Sequence, residues 1–378
     1  IVHDELAEIV DKYGDERRTE IIPATGDVTD EDLIARENVV VTITSTGYAK
    51  RTKVDSYKAQ KRGGKGVRGA ELKQDDIVKN FFVCSTHDWI LFFTNFGRVY
   101  RLKAYELPEA GRAARGQHVA NLLEFQPEEK IAQIIQIQSY EDAPYLVLAT
   151  RDGRVKKSRL TDYESARSAG LIAINLNEGD ALIGAQLVSE GDDILLTSEQ
   201  GQAIRFTADD DQLRPMGRAT AGVKGMRFRG DDQLLSMSVV HDGEFLLVAT
   251  SGGYGKRTAI EEYTTQGRGG LGVMTFKYTP KRGKLIGAIS IDKDDEIFAI
   301  TSAGGVIRTE VDQIRPSSRA TMGVRLVNLG DDVELLAIDR NVEEDGEEDA
   351  QAVAKGEKTV DEVQQEHHKG SDASKDEE

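Results

Sequence analysis

The chain has 378 residues, of which 49 are Lys or Arg and 66 are Asp or Glu, so its formal net charge is −17. A single cysteine excludes a disulfide-stapled fold and any zinc module built from several cysteines. No apolar run approaches the roughly 18 residues of a membrane-spanning helix, and the first residues are acidic rather than signal-like. We expect a soluble intracellular protein, and the first residue, Ile1, suggests a fragment of a longer chain.

The negative charge lies at the two ends of the chain. Residues 1–37 contain 12 acidic and 4 basic residues, and residues 343–378 contain 14 acidic and 4 basic residues. The middle of the chain holds 40 acidic and 41 basic residues. The middle is therefore compatible with a polyanionic partner, although the isoelectric point of the whole chain is near 5.0.

The chain opens with an amphipathic pattern. Val2, Leu6, Ile9 and Tyr13 are spaced 4, 3 and 4 apart, which fits either a helix that caps a domain or the end of a coiled coil. We assign residues 1–17 to this helix.

Two polar segments flank the rest of the chain. Residues 18–37 are polar, and we expect a linker there. Residues 343–378 contain few large apolar side chains, so we expect a disordered acidic tail, which serves either as an internal competitor for a basic surface or as a solubility device.

Six repeats of about fifty residues are the strongest pattern in the sequence. In each repeat an apolar run ends in Thr or Ser, a Gly follows three residues later, and Lys or Arg follows four residues after that Gly. The glycines are Gly47, Gly97, Gly153, Gly201, Gly253 and Gly304. The basic residues are Arg51, Arg101, Lys157, Arg205, Arg257 and Arg308. Each run is typical of a buried strand that enters a glycine-bearing hairpin.

A second glycine follows 17 to 21 residues after the first one. These glycines are Gly66, Gly116, Gly170, Gly222, Gly272 and Gly323. In five repeats an arginine stands four residues before the second glycine, namely Arg62, Arg112, Arg218, Arg268 and Arg319. The third repeat has Ala166 there and Arg167 next to it. Further apolar runs and an acidic turn complete each repeat.

About four strands per repeat and no convincing helix define the fold class. We predict an all-β fold over residues 38–342: a six-bladed β-pinwheel, a propeller-like ring of four-stranded blades. Closure into a ring is favoured because no single unit buries its apolar face alone and no atypical capping repeat is evident.

Catalytic motifs are missing from the sequence. There is no Gly-x-Ser-x-Gly or His-Glu-x-x-His motif, and Cys84 lies in an apolar run that is typical of a buried thiol. The pairs Gly64-Lys65 and Gly255-Lys256 both fail the phosphate-loop pattern. We expect no catalytic residue and no metal site.

The recurrent basic residues allow two interpretations. They either solubilise the blade rims or present a ring of cations to the phosphates of a duplex, without reading bases. The densest cluster is a ten-residue loop in which Lys61, Arg62, Lys65 and Arg68 alternate with glycines. Glycines let the backbone approach a polyanion closely, so this loop favours phosphate binding.

A heptapeptide within this loop resembles the GyrA box, the signature of the carboxy-terminal domain family of the DNA gyrase A protein. Its residues are Gln60, Lys61, Arg62, Gly63, Gly64, Lys65 and Gly66. The six repeats are similar to that family's six-bladed β-pinwheel, and residues 15–20 resemble the segment where the gyrase A protein leaves its coiled coil. This resemblance favours the end of a coiled coil for residues 1–17.

The resemblance implies which residues bind DNA. The box, residues 60–66, would fasten the duplex and complete its wrap. The blade-rim contacts would be Arg68, Arg112, Arg115, Arg167, Arg218, Arg268 and Arg319. The basic residues four positions after each first glycine form a further candidate set.

The resemblance also implies a function. The domain would bend duplex DNA with positive handedness, largely independently of sequence, so that the holoenzyme introduces negative supercoils with ATP. The catalytic tyrosine precedes this domain in the family, and ATP and Mg²⁺ belong to the holoenzyme rather than to this fragment. Implied partners are double-stranded DNA, the rest of the gyrase A protein and the gyrase B protein in an A2B2 assembly, with no membrane, in the bacterial cytoplasm at the nucleoid.

Two alternatives remain open at this point. The related A-type protein of topoisomerase IV has a similar ring with a degenerate box, so the intact heptapeptide favours gyrase. A propeller that docks an acidic protein partner through its basic rim belongs to another class of function.

Overall fold

The computed structural model of the chain describes residues 2–14, 30–57, 76–164, 170–330 and 332–369. It divides into two compact units, residues 1–35 and residues 36–378. The first unit contains helix α1, Val2–Tyr13, and a 3₁₀ turn at Asp30–Leu33. Residues 15–29, which include the predicted end of the helix and most of the predicted linker, lie outside the described residues. The coiled-coil assignment stays a prediction.

The second unit is built from strands joined by tight turns. In chain order they are β1 Asn38–Thr44, β2 Tyr48–Lys53, β3 Val78–Ser85, β4 Trp89–Thr94, β5 Arg98–Lys103, β6 Gln117–His118, β7 Ile131–Ile137, β8 Tyr145–Thr150, β9 Arg154–Arg159, β10 Leu171–Ile172, β11 Leu182–Val188, β12 Asp193–Ser198, β13 Gln202–Thr207, β14 Val223–Lys224, β15 Leu234–Val240, β16 Phe245–Thr250, β17 Tyr254–Ala259, β18 Val273–Met274, β19 Leu285–Ile291, β20 Glu296–Thr301, β21 Val306–Glu310, β22 Val324–Arg325 and β23 Leu335–Arg340.

The strands form six antiparallel blades, which confirms the predicted fold class. In the first blade the order is β3-β1-β2-β6, and the next four blades repeat this arrangement. The short outer strand of each of these five blades comes from the following repeat, so every repeat completes the blade before it. The described part of the sixth blade has three strands, β21-β20-β23. The first repeat's counterpart of an outer strand, near Gly66, lies outside the described residues.

The first glycine of each repeat closes the hairpin that follows the central strand. Gly47 has a φ of 89°, a left-handed conformation that suits glycine, and its amide donates to the Thr44 carbonyl over 2.9 Å. The Thr44 hydroxyl accepts from the amide of Tyr48. The other hairpins have the same glycine conformation and the same turn bond. The recurrent Thr or Ser is thus explained by a turn that needs a side-chain acceptor.

The second glycine is required because the outer strand lies directly on the preceding blade. Gly222 has a φ of 71°, and a Cβ at this position would come within 2.5 Å of the Val155 carbonyl oxygen. Gly116, Gly272 and Gly323 have left-handed φ values and face a backbone carbonyl of the preceding blade in the same way. The second glycine therefore marks the point where one repeat joins the next.

Apolar side chains fill the spaces between neighbouring blades. Central strands are buried on both faces, so alternate residues point to opposite neighbours. In β4, Ile90 and Phe92 pack toward the first blade, whereas Leu91 and Phe93 pack toward the third. Five such clusters join consecutive blades from the first to the sixth.

The predicted disordered tail is wrong for residues 343–369. Helix α3, Glu343–Lys355, and helix α4, Val360–Lys369, follow the last strand, and residues 370–378 lie outside the described residues. A shorter helix, α2, spans Asp210–Leu213. Short 3₁₀ helices also occur at Val54–Tyr57, Ala104–Glu106, Val119–Asn121, Leu160–Tyr163, Ile260–Glu262 and Val311–Gln313.

The two tail helices cover the face of the first blade that points away from the second blade. Ala350, Val353, Val360 and Val363 pack against a cluster of that blade, and they take the place that a neighbouring blade occupies elsewhere in the ring. The blade side of this cluster comprises Val40, Val54, Tyr57, Val78, Phe81 and Val83. The composition of the tail did not indicate these helices. Four small apolar residues at helical spacing are enough to dock them, because the first blade already provides an apolar surface. No helix among the described residues is long and apolar enough to cross a membrane.

We predict that Gly222→Ala destabilises the fold far more than Gly179→Ala. Both glycines have positive φ, at 71° and 77°, but only the methyl group at residue 222 would meet another strand. The backbone cost of about 1–3 kcal/mol is common to both, and the clash adds to it only at Gly222. Urea unfolding of the two variants checks this. Equal losses would contradict the close approach of the outer strand.

We also predict that Val363→Asp lowers the unfolding midpoint. Val363 is 1% exposed in the helix–blade cluster, so an unpaired carboxylate there opposes docking of α4. Gln365→Asp adds the same charge at an exposed position of the same helix and serves as the control. Thermal unfolding with both variants indistinguishable from the parent would argue against a docked tail.

Candidate nucleic-acid interface

Five of the predicted rim arginines, Arg112, Arg115, Arg218, Arg268 and Arg319, lie in loops at the outer edge of the ring. We call these segments the rim loops: residues 112–116, 218–222, 268–272 and 319–323, each of which leads from the arginine to the second glycine. Each rim loop precedes an outer strand, β6, β14, β18 or β22, that is paired with the preceding blade. The arginines are half-buried. The fold therefore carries a guanidinium to the outer edge at regular intervals.

Three of these guanidinium groups bridge from one outer strand to the next. Arg218 Nη1 donates to the Ile172 carbonyl, and Arg268 Nη1 donates to the Lys224 carbonyl over 3.1 Å. Arg319 Nη1 lies 3.3 Å from the carbonyl oxygen of Met274. The acceptor is in each case two residues after the previous repeat's second glycine. These bonds fix the arginine side chains while the remaining N–H groups can face a ligand.

Arg112 has a different set of contacts, because the C-terminal helix α3 reaches it. Its Nη2 donates to Glu347 Oε1 over 2.5 Å, and its guanidinium lies 4.4 Å from the Tyr57 ring centre. Arg115, in the same rim loop, stacks on Tyr48 at 3.5 Å. A phosphate reaches Arg112 only by exchange with the Glu347 carboxylate.

The predicted box is not among the residues that the structure describes. Residues 58–75 are outside it, so Gln60, Lys61, Arg62, Gly63, Gly64, Lys65, Gly66 and Arg68 have no structural account. Arg167, in the third repeat, lies outside it too. Their roles stay predictions.

The fifth repeat contains a described counterpart of the box. Residues 266–272 read QGRGGLG, and this segment matches QKRGGKG at five of seven positions, including the arginine and the last glycine. Arg268 is held by Gln212 of α2, whose carbonyl accepts from Nε and whose side-chain oxygen accepts from the Arg268 amide. The sequence comparison between repeats was the signal that could have identified this segment as a second box-like loop.

The further candidate residues stand four positions after each first glycine. Their side chains form hydrogen bonds and ion pairs inside the protein. Lys157 has no exposed side-chain surface, and its Nζ donates to the Ala208 carbonyl and to Asp210. Arg257 is also buried, with Nε on the Ile314 carbonyl. Neither has surface to offer a phosphate.

The other members of this set also have partners inside the protein. Arg205 pairs with Asp193 and Asp242, and Arg51 pairs with Glu109. Arg101 stacks on Trp89 at 4.3 Å, and Arg308 pairs with Glu296. The alternative weighed from the sequence, a structural role for recurrent cations, suits this set, and we leave it out of the interface.

Two exposed basic residues on the outer strands were not among the site residues predicted from the sequence. Lys224 and Arg325 each lie two residues after a second glycine and are exposed. Arg68, which was predicted, has the same position in its repeat. Aligning the repeats at the second glycine would have found both.

Buried lysines lie beneath three of the rim loops. Burial, together with the nearby charge of Arg218, lowers the pKa of Lys156 to about 7. Burial also lowers the pKa values of Lys50 and Lys256 to about 8. Within the described ranges no group of three or more His, Cys, Asp or Glu side chains is placed to hold a metal ion. The described rim thus carries fixed cations at intervals, an arrangement that suits a polyanion.

Comparison with known proteins assigns the family. A sequence profile described as "DNA gyrase C-terminal domain, beta-propeller" matches residues 38–85, 88–138, 144–189, 192–241, 244–292 and 295–341, one segment for each blade. The chain belongs to this family. It is 69% identical over 350 residues to the DNA gyrase A protein of Mycobacterium tuberculosis (strain ATCC 25618 / H37Rv), a match that covers 93% of the chain and 42% of that protein. The chain thus spans about two-fifths of the length of the curated relatives it matches.

Two solved structures have a similar fold. The C-terminal domain of a DNA topoisomerase IV superposes with a TM-score of 0.75 at 27% identity, covering 86% of this chain and all of that one. The C-terminal domain of a DNA gyrase A superposes with a TM-score of 0.61 at 28% identity, covering 80% of this chain and 99% of that one. The identity to the mycobacterial gyrase A protein is far higher than either value, which favours gyrase over the topoisomerase IV alternative.

We predict that the unfolding free energy rises with pH between about 7 and 9, and that Lys156→Met reduces this rise. Lys156 has a folded pKa of about 7 against 10.5 unfolded, so in this window the unfolded state binds more protons and stability increases with pH. One such group contributes at most about 1.4 kcal/mol per pH unit. Urea unfolding at pH 7, 8 and 9 measures it.

Lys224→Met is the control for this experiment, because it removes an exposed lysine from the same blade edge. The same pH dependence in Lys156→Met and the parent chain would show that Lys156 is not buried as a low-pKa amine.

Proposed function

We propose that this chain binds duplex DNA along the rim loops and wraps it around the ring as the DNA-wrapping domain of a gyrase A protein. The observation that carries the proposal is the regular placement of Arg218, Arg268 and Arg319 at the outer edge, each fixed by a bond to the neighbouring outer strand. Cations at each blade neutralise phosphates without base contacts, which gives binding that is largely independent of sequence.

Bending explains why several contacts are needed. Smooth bending of 20–30 base pairs by 40–90° costs on the order of 1–6 kcal/mol. A single phosphate contact does not offset this cost, but a series of contacts along one curved edge does. If about six phosphates are neutralised, the slope of log K against log[salt] is about −5.

The wrap has a defined role in the proposed assembly. The rest of the gyrase A protein and the gyrase B protein, in an A2B2 holoenzyme, pass one DNA segment through another with ATP and Mg²⁺. This domain presents the segment by wrapping the duplex with positive handedness, which biases passage toward negative supercoils. The box, with Lys61, Arg62 and Lys65, fastens the duplex on the first blade. The location that follows is the bacterial cytoplasm, at the nucleoid.

Nicked circular plasmid tests the wrapping. The chain is bound to the plasmid, the nick is ligated, the protein is removed and the topoisomers are resolved at several salt concentrations. A salt-sensitive shift to positive linking differences is expected. Binding without any shift would contradict wrapping and would favour a docking surface for an acidic partner.

Rim substitutions test which residues bind. Arg218→Ala and Arg268→Ala should each lower the linking shift and reduce the magnitude of the salt slope by about 0.9, because each removes one phosphate contact. Lys293→Ala, which removes an exposed charge from the turn between β19 and β20, is the matched control. Simultaneous replacement of Lys61, Arg62 and Lys65 by Ala should abolish the shift. Unchanged wrapping by the rim variants would overturn the assigned interface.

A further inference from the structure

Alternate blades differ at one position of the strand that pairs with the outer strand. Three residues after the first glycine, the first, third and fifth blades have Lys50, Lys156 and Lys256. The second, fourth and sixth blades have Tyr100, Ile204 and Ile307. A hydroxyl follows two residues after each lysine, at Thr52, Ser158 and Thr258. The ring is therefore built from three pairs of blades.

The three lysines make equivalent contacts with the rim loops above them. Lys50 Nζ donates to the carbonyl of Arg112, and Lys156 Nζ donates to the carbonyl of Arg218. Lys256 Nζ donates to the carbonyl of Arg319 over 2.5 Å. In all three blades the acceptor is the backbone of the rim arginine itself.

Additional bonds surround each of these contacts. Lys50 Nζ also reaches the Gly111 and Ala114 carbonyls, at 3.2 and 2.8 Å. Lys256 Nζ reaches the Ser318 carbonyl and the Thr321 hydroxyl, at 2.6 and 3.2 Å. The loops over the first and fifth blades are thus held on both sides of their arginines.

The three hydroxyl side chains bind the backbone two residues before each of these rim arginines. Thr52 Oγ1 donates to the Ala110 carbonyl over 2.8 Å, and Thr258 Oγ1 donates to the Ser317 carbonyl over 2.9 Å. Ser158 Oγ donates to the Met216 carbonyl over 2.8 Å. A hydroxyl is a neutral anchor, whereas burying an ammonium group costs much more. The lysine therefore does something that a second hydroxyl would not.

The rim loop over the fourth blade shows the contrast. Ile204 stands at the lysine position there, and Arg268 is instead held from the side by Gln212. The loop above it has the glycine pair Gly269-Gly270 after its arginine. The lysine-anchored loops have Ala after the arginine, at Ala113, Ala219 and Ala320. Two kinds of rim loop thus occur in turn over the third, fourth and fifth blades, and only one kind has a lysine beneath it.

We propose that Lys50, Lys156 and Lys256 are positioning residues that fix the backbone of the rim arginines above them. Arg218 and Arg319 are thereby held ready for phosphate binding, whereas Arg112 must first exchange its Glu347 partner for the phosphate. This inference rests on the proposed function. An arginine with a fixed backbone loses less conformational freedom when it binds, so its phosphate contact is stronger.

A double-mutant cycle on the fifth blade tests the proposal. The complete 378-residue chain is used, with Lys256→Met, Arg319→Ala and the double variant. Affinity for a linear duplex is measured at fixed salt, with the nicked-plasmid linking shift as a second readout. Arg319→Ala should weaken binding about tenfold because it loses a charge-assisted phosphate contact, and Lys256→Met about three- to tenfold because it loses the bonds that fix Arg319. The double variant should bind no more weakly than Arg319→Ala alone.

Ile204→Met is the matched control, since it places the same side chain at the equivalent position of the fourth blade and should leave binding unchanged. A purely structural lysine would lower the unfolding midpoint without coupling to Arg319. Additive losses in the cycle would therefore overturn the inference, and so would unaffected binding by Lys256→Met when Arg319→Ala weakens it.

If Lys256→Met does not fold, Lys256→Gln and the equivalent cycle with Lys156 and Arg218 apply. The glutamine amide keeps N–H donors without the charge, so a smaller loss than that of Arg319→Ala is expected. A loss that adds fully to that of the arginine variant would overturn the inference here too. If neither Arg218→Ala nor Arg319→Ala weakens binding, the proposed interface itself fails, and the inference fails with it.

Discussion

The joint between one repeat and the blade before it is the contact on which the rest of the ring depends. The outer strand can pair there only because glycine replaces a side chain at the closest approach, as at Gly222 against Val155. This joint links successive blades covalently and by hydrogen bonds. It also carries the rim loop that precedes it to the outer edge. The same glycine thus closes the fold and places the arginine.

Local charge, rather than total charge, decides what such a ring can bind. The chain has a net charge of −17, but the excess acidity lies in the terminal segments. One of these segments folds back as α3 and pairs Glu347 with Arg112. The remaining rim arginines are bonded to backbone carbonyls, which leave their positive charge unneutralised. A basic edge therefore persists in an acidic protein.

Much of the fold could be predicted from the sequence, and less of the site. The repeats, the central strands and both glycines follow from local rules of turns and strand burial. The burial of Lys157 could not be predicted, because it depends on contacts with Asp210 and Ala208, which only the folded sheet brings near. The tail helices were missed for a similar reason: Val363 gains a partner only once the first blade exists. Arg218 and Arg268 could be placed at the rim because their spacing to the second glycine is a property of one repeat.

The alternation of lysine-bearing and lysine-free blades bears on how such a chain can grow or shorten. The pattern recurs from Gly47 to Gly153 and again from Gly153 to Gly253, steps of 106 and 100 residues. Gain or loss of a single blade would set two like blades side by side. Gain or loss of a pair would preserve the alternation of lysine-bearing and lysine-free blades. Two blades are therefore the smallest module whose addition or removal keeps this pattern, a module larger than the single repeat.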